Sequence, residues 1–82
     1  TEYPQKLVNY TLSNQLEEDI LNQLNDEMKI IENENIPDGR IFIRASGTEP
    51  LLRVLIEADS LEKIDTASIF IEEIVTKYLD IQ

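Results

Sequence analysis

Eighty-two residues, 41% of them hydrophobic, suffice for one globular domain that buries only roughly 60 to 65% of its unfolded surface. A net charge of −10 opposes the phosphate backbone of nucleic acid, and the absence of cysteine and histidine removes disulfides, thiolate chemistry and the commonest general base and metal ligand. No apolar run nears the ~18 residues of a membrane span and no signal-peptide pattern opens the chain, so we expect a soluble, cytoplasmic protein with neither nucleic acid nor membrane as partner.

Residues 4–12 alternate, with Val8, Tyr10 and Leu12 on one face and Leu7, Asn9 and Thr11 on the other, the pattern of a half-buried strand that tolerates Pro4 at its start. Ser13 and Asn14 are both good helix N-caps, and Asn14 with Glu17 resembles a capping box. Glu17, Glu18 and Asp19 then suit the positive end of a helix, and without calcium-loop spacing they do not read as a metal site. Leu16, Ile20, Leu24, Met28 and Ile31, widened by Leu21, make the apolar stripe of a helix over about residues 15–32. Asn33, Asn35, Pro37, Asp38 and Gly39 end it. Two strands over about residues 40–45 and 51–58 follow, joined as a hairpin by Ser46, Gly47, Thr48, Glu49 and Pro50. Asp59 or Ser60 caps a second helix, with Glu62 at the capping-box position for Asp59. Its buried stripe is Leu61, Ile64, Ala67, Ile71, Val75 and Tyr78, while Ile69, Phe70 and Ile74 lie to one side, as extra core or as a surface for another domain. The β-α-β-β-α order predicts an α+β two-layer sandwich with both helices on one face of a small sheet.

All three arginines, Arg40, Arg44 and Arg53, lie in the hairpin. From residue 39 to residue 53 they stand against Glu49 alone, a local charge of +2, whereas four lysines against sixteen acids leave −12 on the rest. If Ile41, Ile43, Leu52, Val54 and Ile56 face the core, Arg44 and Arg53 share the opposite face. Like charges across a strand pair repel unless something negative lies between them: Glu49, Glu57 or a ligand. Ser46 and Thr48 carry hydroxyl donors, Gly47 permits positive φ and close approach, and consecutive amides of such a turn form a nest for phosphate oxygens. Two guanidinium groups add planar, permanent charge. The plainer alternative is a tight turn whose arginines pair with Glu49 and Glu57 at the surface.

The run Arg44-Ala45-Ser46-Gly47-Thr48-Glu49-Pro50-Leu51-Leu52-Arg53-Val54 closely resembles the phosphate-binding loop of the α-D-phosphohexomutases, and with Ile56-Glu57-Ala58 it looks most like the bacterial phosphoglucosamine mutase branch. The resemblance is strong over residues 39–58 and rests on element order and length elsewhere. It implies the C-terminal, fourth domain of a four-domain isomerase that interconverts glucosamine 6-phosphate and glucosamine 1-phosphate. The other domains of such an enzyme supply a phosphoserine and a Mg2+ held by aspartates, and a hexose bisphosphate serves as intermediate and activator. It also implies a fold similar to the TATA-box-binding protein. By carry-over, Arg44, Ser46, Gly47, Thr48 and Arg53 would contact the substrate phosphate, with Glu49 shaping the loop and Pro50 stiffening it.

The family's serine motif and aspartate-rich metal loop have no counterpart here, so no catalytic residue, metal ligand or cofactor of its own is expected in residues 1–82, and the domain alone should be inactive. Ser13, Ser46, Ser60 and Ser68 lack the matching context. The absence of an initiator methionine fits a piece of a longer chain, with the interdomain hinge just before Thr1. Alternatives are a phosphoglucomutase or phosphomannomutase domain and a non-catalytic protein-interaction module using Ile69 and Phe70.

Overall fold

The central strand owes its place to being apolar on both sides of its pleat. In the computed structural model, which describes residues 3–79 and 81, the strand Leu51–Glu57 (β3) has Leu52, Val54 and Ile56 fully buried and Leu51 and Leu55 half-buried. It runs between Gln5–Thr11 (β1) and Arg40–Ala45 (β2), antiparallel to both, giving the order β1-β3-β2. The helices Glu18–Asn35 (α1) and Leu61–Tyr78 (α2) complete the expected β-α-β-β-α order.

Both helices lie on the face carrying Leu52, Val54 and Ile56. Leu24, Met28 and Ile31 of α1 and Ile64, Ala67, Ile71 and Val75 of α2 bury the apolar stripes read from the sequence, and Leu12, Ile36 and Ala58 seal the connections. Each fully buried Leu, Ile or Val contributes about 1.5 to 3 kcal/mol relative to exposure, so this single layer supplies most of the stabilisation. The result is the α+β two-layer sandwich, with the other sheet face left open.

Four expectations needed correction. First, α1 runs Glu18–Asn35 rather than 15–32. Its N-cap is Glu17, which makes no side-chain cap bond, and neither Ser13 nor Asn14 caps it. The reason is tertiary: the Leu12 amide donates to the Pro50 carbonyl at 2.7 Å and Gln15 Nε2 donates to the Gly47 carbonyl at 3.0 Å, holding residues 12–15 against the hairpin and out of the helix. Second, the capping box of Asp59 with Glu62 does not form: of the two caps expected for α2 it is Ser60 that serves, its Oγ accepting from the Lys63 amide at 3.3 Å. Asp59 is instead paired with Lys63 Nζ at 3.0 Å. Third, Leu61 is 64% exposed because it stands in the first turn, beyond the reach of the sheet. Fourth, β3 ends at Glu57, one residue earlier than expected. Of the flanking apolar residues, Ile74 joins the core while Ile69 and Phe70 stay exposed. The hinge expected before Thr1 lies outside the described residues.

Two contacts hold β2 in register. A Cβ on Gly39 would collide with the Glu57 carbonyl oxygen and meet Ala58 Cα at 3.1 Å, so only glycine lets the start of β2 pass the end of β3 this closely. Glu32 Oε2 accepts the Ile41 amide at 2.9 Å, satisfying a donor on what is an edge strand.

Candidate functional site

Register decides the site. In the β2–β3 ladder Arg44 is directly opposite Arg53, and alternation sends both side chains to the open face, where both are exposed. Directly opposed residues have Cβ atoms about 4.5 to 5.5 Å apart, so two full positive charges share one spot. Neither has an ion-pair partner among the described residues, where the Lys63–Asp59 pair is found instead. Glu57, one of the two acids considered as their partner, accepts instead from Gln5 Nε2 at 2.8 Å. The alternative of arginines paired with Glu49 and Glu57 is therefore not what the structure contains.

The connecting residues fold into a bend closed by the Ser46 amide donating to the Leu51 carbonyl at 3.1 Å, with the Leu51 amide donating to the Glu49 carbonyl at 2.8 Å. Inside it, Ser46 Oγ accepts the amides of Thr48 at 3.4 Å and Glu49 at 3.2 Å. The expected nest of consecutive free amides is thus not formed, because these two turn inward onto the serine oxygen. Having accepted twice, that hydroxyl keeps its proton for an outside acceptor. Gly47 does not use the positive φ that glycine permits, since neither glycine has one. Close approach does survive: nothing lies within 4 Å of where a Cβ on Gly47 would sit, so the backbone is open from that side. The Gly47 amide and the Thr48 hydroxyl have no hydrogen-bond partner among the described residues.

Arg44, Ser46, Gly47, Thr48 and Arg53 all line one concavity of about 300 Å³, together with Ala45, Glu49 and Leu51. Pro50 lies outside it, its carbonyl held by the Leu12 amide. The donors left free at this concavity are two guanidiniums, two hydroxyls and one amide, a set that suits a compact oxyanion. Hydrogen bonds to a charged group contribute about 1.5 to 3 kcal/mol each, so three or four of them outweigh the ordering of the arginine side chains.

Two residues were not singled out from the sequence. Asn9 of β1 stands opposite Arg53, extending the row Asn9, Arg53, Arg44 across all three strands on the open face. Its side of β1 was legible, but which strand lay beside it was not. Gln15, bonded to the turn through Gly47, was concealed by its apparent place in the first helix.

With this geometry in hand, comparison with known proteins is specific. Residues 7–70 match the family model described as phosphoglucomutase/phosphomannomutase, C-terminal domain. The phosphoglucosamine mutase of Caldanaerobacter subterraneus subsp. tengcongensis is 37% identical over 82 residues, 98% of this chain and 18% of the relative. That of Streptococcus equi subsp. zooepidemicus is 45% identical over 67 residues, 79% of this chain and 15% of the relative. Among solved structures, an N-acetylglucosamine-phosphate mutase of the alpha-D-phosphohexomutase superfamily, in a product complex, superposes with a TM-score of 0.70 at 28% identity, over 92% of this chain and 16% of that one. The Aspergillus fumigatus N-acetylphosphoglucosamine mutase, solved with GlcNAc-6P and magnesium, shares the fold with a TM-score of 0.67 at 22% identity over 95% of this chain. The chain therefore spans less than a fifth of the relatives it matches, and it belongs to the phosphoglucomutase/phosphomannomutase C-terminal domain family.

Proposed function

We propose that this chain is the phosphate-gripping fourth domain of a longer phosphosugar mutase that interconverts glucosamine 6-phosphate and glucosamine 1-phosphate. The observation that carries the reading is the pair Arg44 and Arg53, opposed in register and without an ion-pair partner among the described residues, lining one concavity with Ser46, Gly47 and Thr48. The choice of glucosamine rather than glucose or mannose phosphate rests on the bacterial relatives, which are named phosphoglucosamine mutases.

In such an enzyme the domain binds and orients. Arg44 and Arg53 hold the phosphate that is not reacting, Ser46 and Thr48 donate to its oxygens, and the Gly47 backbone approaches it closely. Fixing that end of the sugar presents the other to the reacting groups, converting binding energy into orientation. The chemistry itself belongs to other parts of the longer protein. Among the described residues no three His, Cys, Asp or Glu side chains are grouped as metal ligands, and on this reading the magnesium implied by the family is held by another domain. Ser60 caps α2, and Ser68 accepts from Lys6 Nζ and donates to the Asp65 carbonyl, which leaves both serving the local structure. No described helix is long and apolar enough to cross a membrane.

Titration of the chain with inorganic phosphate, followed by amide NMR, tests the reading. Saturable shifts centred on residues 46–49, together with the guanidinium resonances of Arg44 and Arg53, are expected. An unmoved turn at high millimolar phosphate would refute it.

A further inference from the structure

We infer that Gln15 is a positioning residue of this anion site, acting through the Gly47 backbone rather than by touching the ligand; the inference rests on the phosphate reading above. Three of the hydrogen bonds that hold the turn fix it at different points. Its base is closed by the Ser46 amide on the Leu51 carbonyl, and its far end is tied by the Leu12 amide on the Pro50 carbonyl at 2.7 Å. Between them, at the tip, the bond from outside the hairpin is Gln15 Nε2 to the Gly47 carbonyl at 3.0 Å.

That middle point needs a fastening most. Glycine is the freest of residues, and a Cβ at Gly47 would touch nothing within 4 Å, so no packing holds it. The Gly47 carbonyl and the Thr48 N–H belong to one planar trans peptide and point in opposite directions. By holding the carbonyl, Gln15 fixes that plane and keeps the Thr48 amide on Ser46 Oγ. The serine oxygen is then occupied as an acceptor, and its proton is left for the ligand. Release of the carbonyl would let the plane rotate, freeing Ser46 Oγ to point a lone pair at the anion and turning a carbonyl oxygen toward it. The same bond explains why the chain forgoes the caps offered by Ser13 and Asn14: residues 13–17 stay outside α1 so that Gln15 reaches the turn.

The test uses inorganic phosphate on this 82-residue chain at constant ionic strength, with affinity read from amide shifts and stability from thermal melting. Gln15→Ala is expected to weaken phosphate binding about three- to tenfold, the value of one hydrogen bond, with the melting temperature lowered by no more than a few degrees because the side chain is exposed and only that bond is lost. Gln15→Glu, of equal length but able only to accept, should weaken it at least as much. Asn14→Asp places the same charge one residue earlier and should change affinity by less than about twofold, since an exposed charge without a bond to the turn is screened. Equal binding by wild type and Gln15→Ala overturns the inference while leaving the phosphate reading intact. So does a loss in Gln15→Glu that Asn14→Asp reproduces and Gln15→Ala does not. A wild-type chain that ignores phosphate overturns both.

Discussion

Leu52 and Arg53 are neighbours on one strand, share the same hydrogen-bonded ladders, and do opposite things. The face that Leu52 shares with Val54 and Ile56 is fully buried under two helices. The face that Arg53 shares with Arg44 and Asn9 is open, and its two arginines have no ion-pair partner among the described residues. One side of the pleat spends its residues on burial and the other on recognition, so stability and binding should separate substitution by substitution.

The sharpest cut is Leu52→Ala. It should cost about 2 to 5 kcal/mol of stability through lost burial and the cavity left behind, seen as a lower urea midpoint with unchanged slope. Next comes Arg53→Ala, which should weaken phosphate binding by at least about tenfold, since hydrogen bonds to a charged group are lost. Without phosphate its stability should stay within about 0.5 kcal/mol of wild type and not fall, because removing one of two opposed like charges relieves repulsion. A large stability loss in this variant would mean that the arginine is structural after all.

Gly39→Ala should blur the distinction. A methyl group driven into the Glu57 carbonyl must push β2 away from β3, costing about 1 to 3 kcal/mol and separating Arg44 from Arg53, so stability and phosphate affinity should decline together. The smallest effect concerns Tyr10 on the covered face, whose phenol burial, and secondarily the nearby Glu72 carboxylate, raise above its ordinary 10.0. The folded state thus holds this proton more tightly than the unfolded state does. The corresponding stability is fully present below pH 10.0 and is lost as pH rises through the raised folded value. Denaturant melts on either side of that pH should show a fall in stability that Tyr10→Phe makes shallower.

Much of the architecture was legible because short-range patterns matched long-range packing. Period-two alternation gave the bounds of β2 and the pairing face of Arg44 and Arg53, and helical spacing gave Leu24, Met28 and Ile31 or Ile64, Ala67, Ile71 and Val75 as core. What escaped was set by contacts distant in sequence. The start of α1 was misplaced by about one turn because Leu12 and Gln15 are claimed by residues 50 and 47, over thirty positions away, and these bonds win over two good local caps. Likewise the strand order that sets Asn9 beside Arg53 has no local signature. Within the turn the donor types were readable but their directions were not, and the Ser46 oxygen took the two amides expected to face the ligand.

Thermal melting of the wild-type chain and an Arg44→Ala/Arg53→Ala double variant, in rising phosphate with ionic strength held fixed by chloride, addresses the paired arginines most directly. Binding to the folded state alone must raise the wild-type melting temperature with phosphate concentration. The double variant should melt no lower than wild type in the absence of phosphate and should not respond to it. Equal phosphate stabilisation of both proteins, or a double variant that is destabilised from the outset, would contradict an anion site built on these two guanidinium groups.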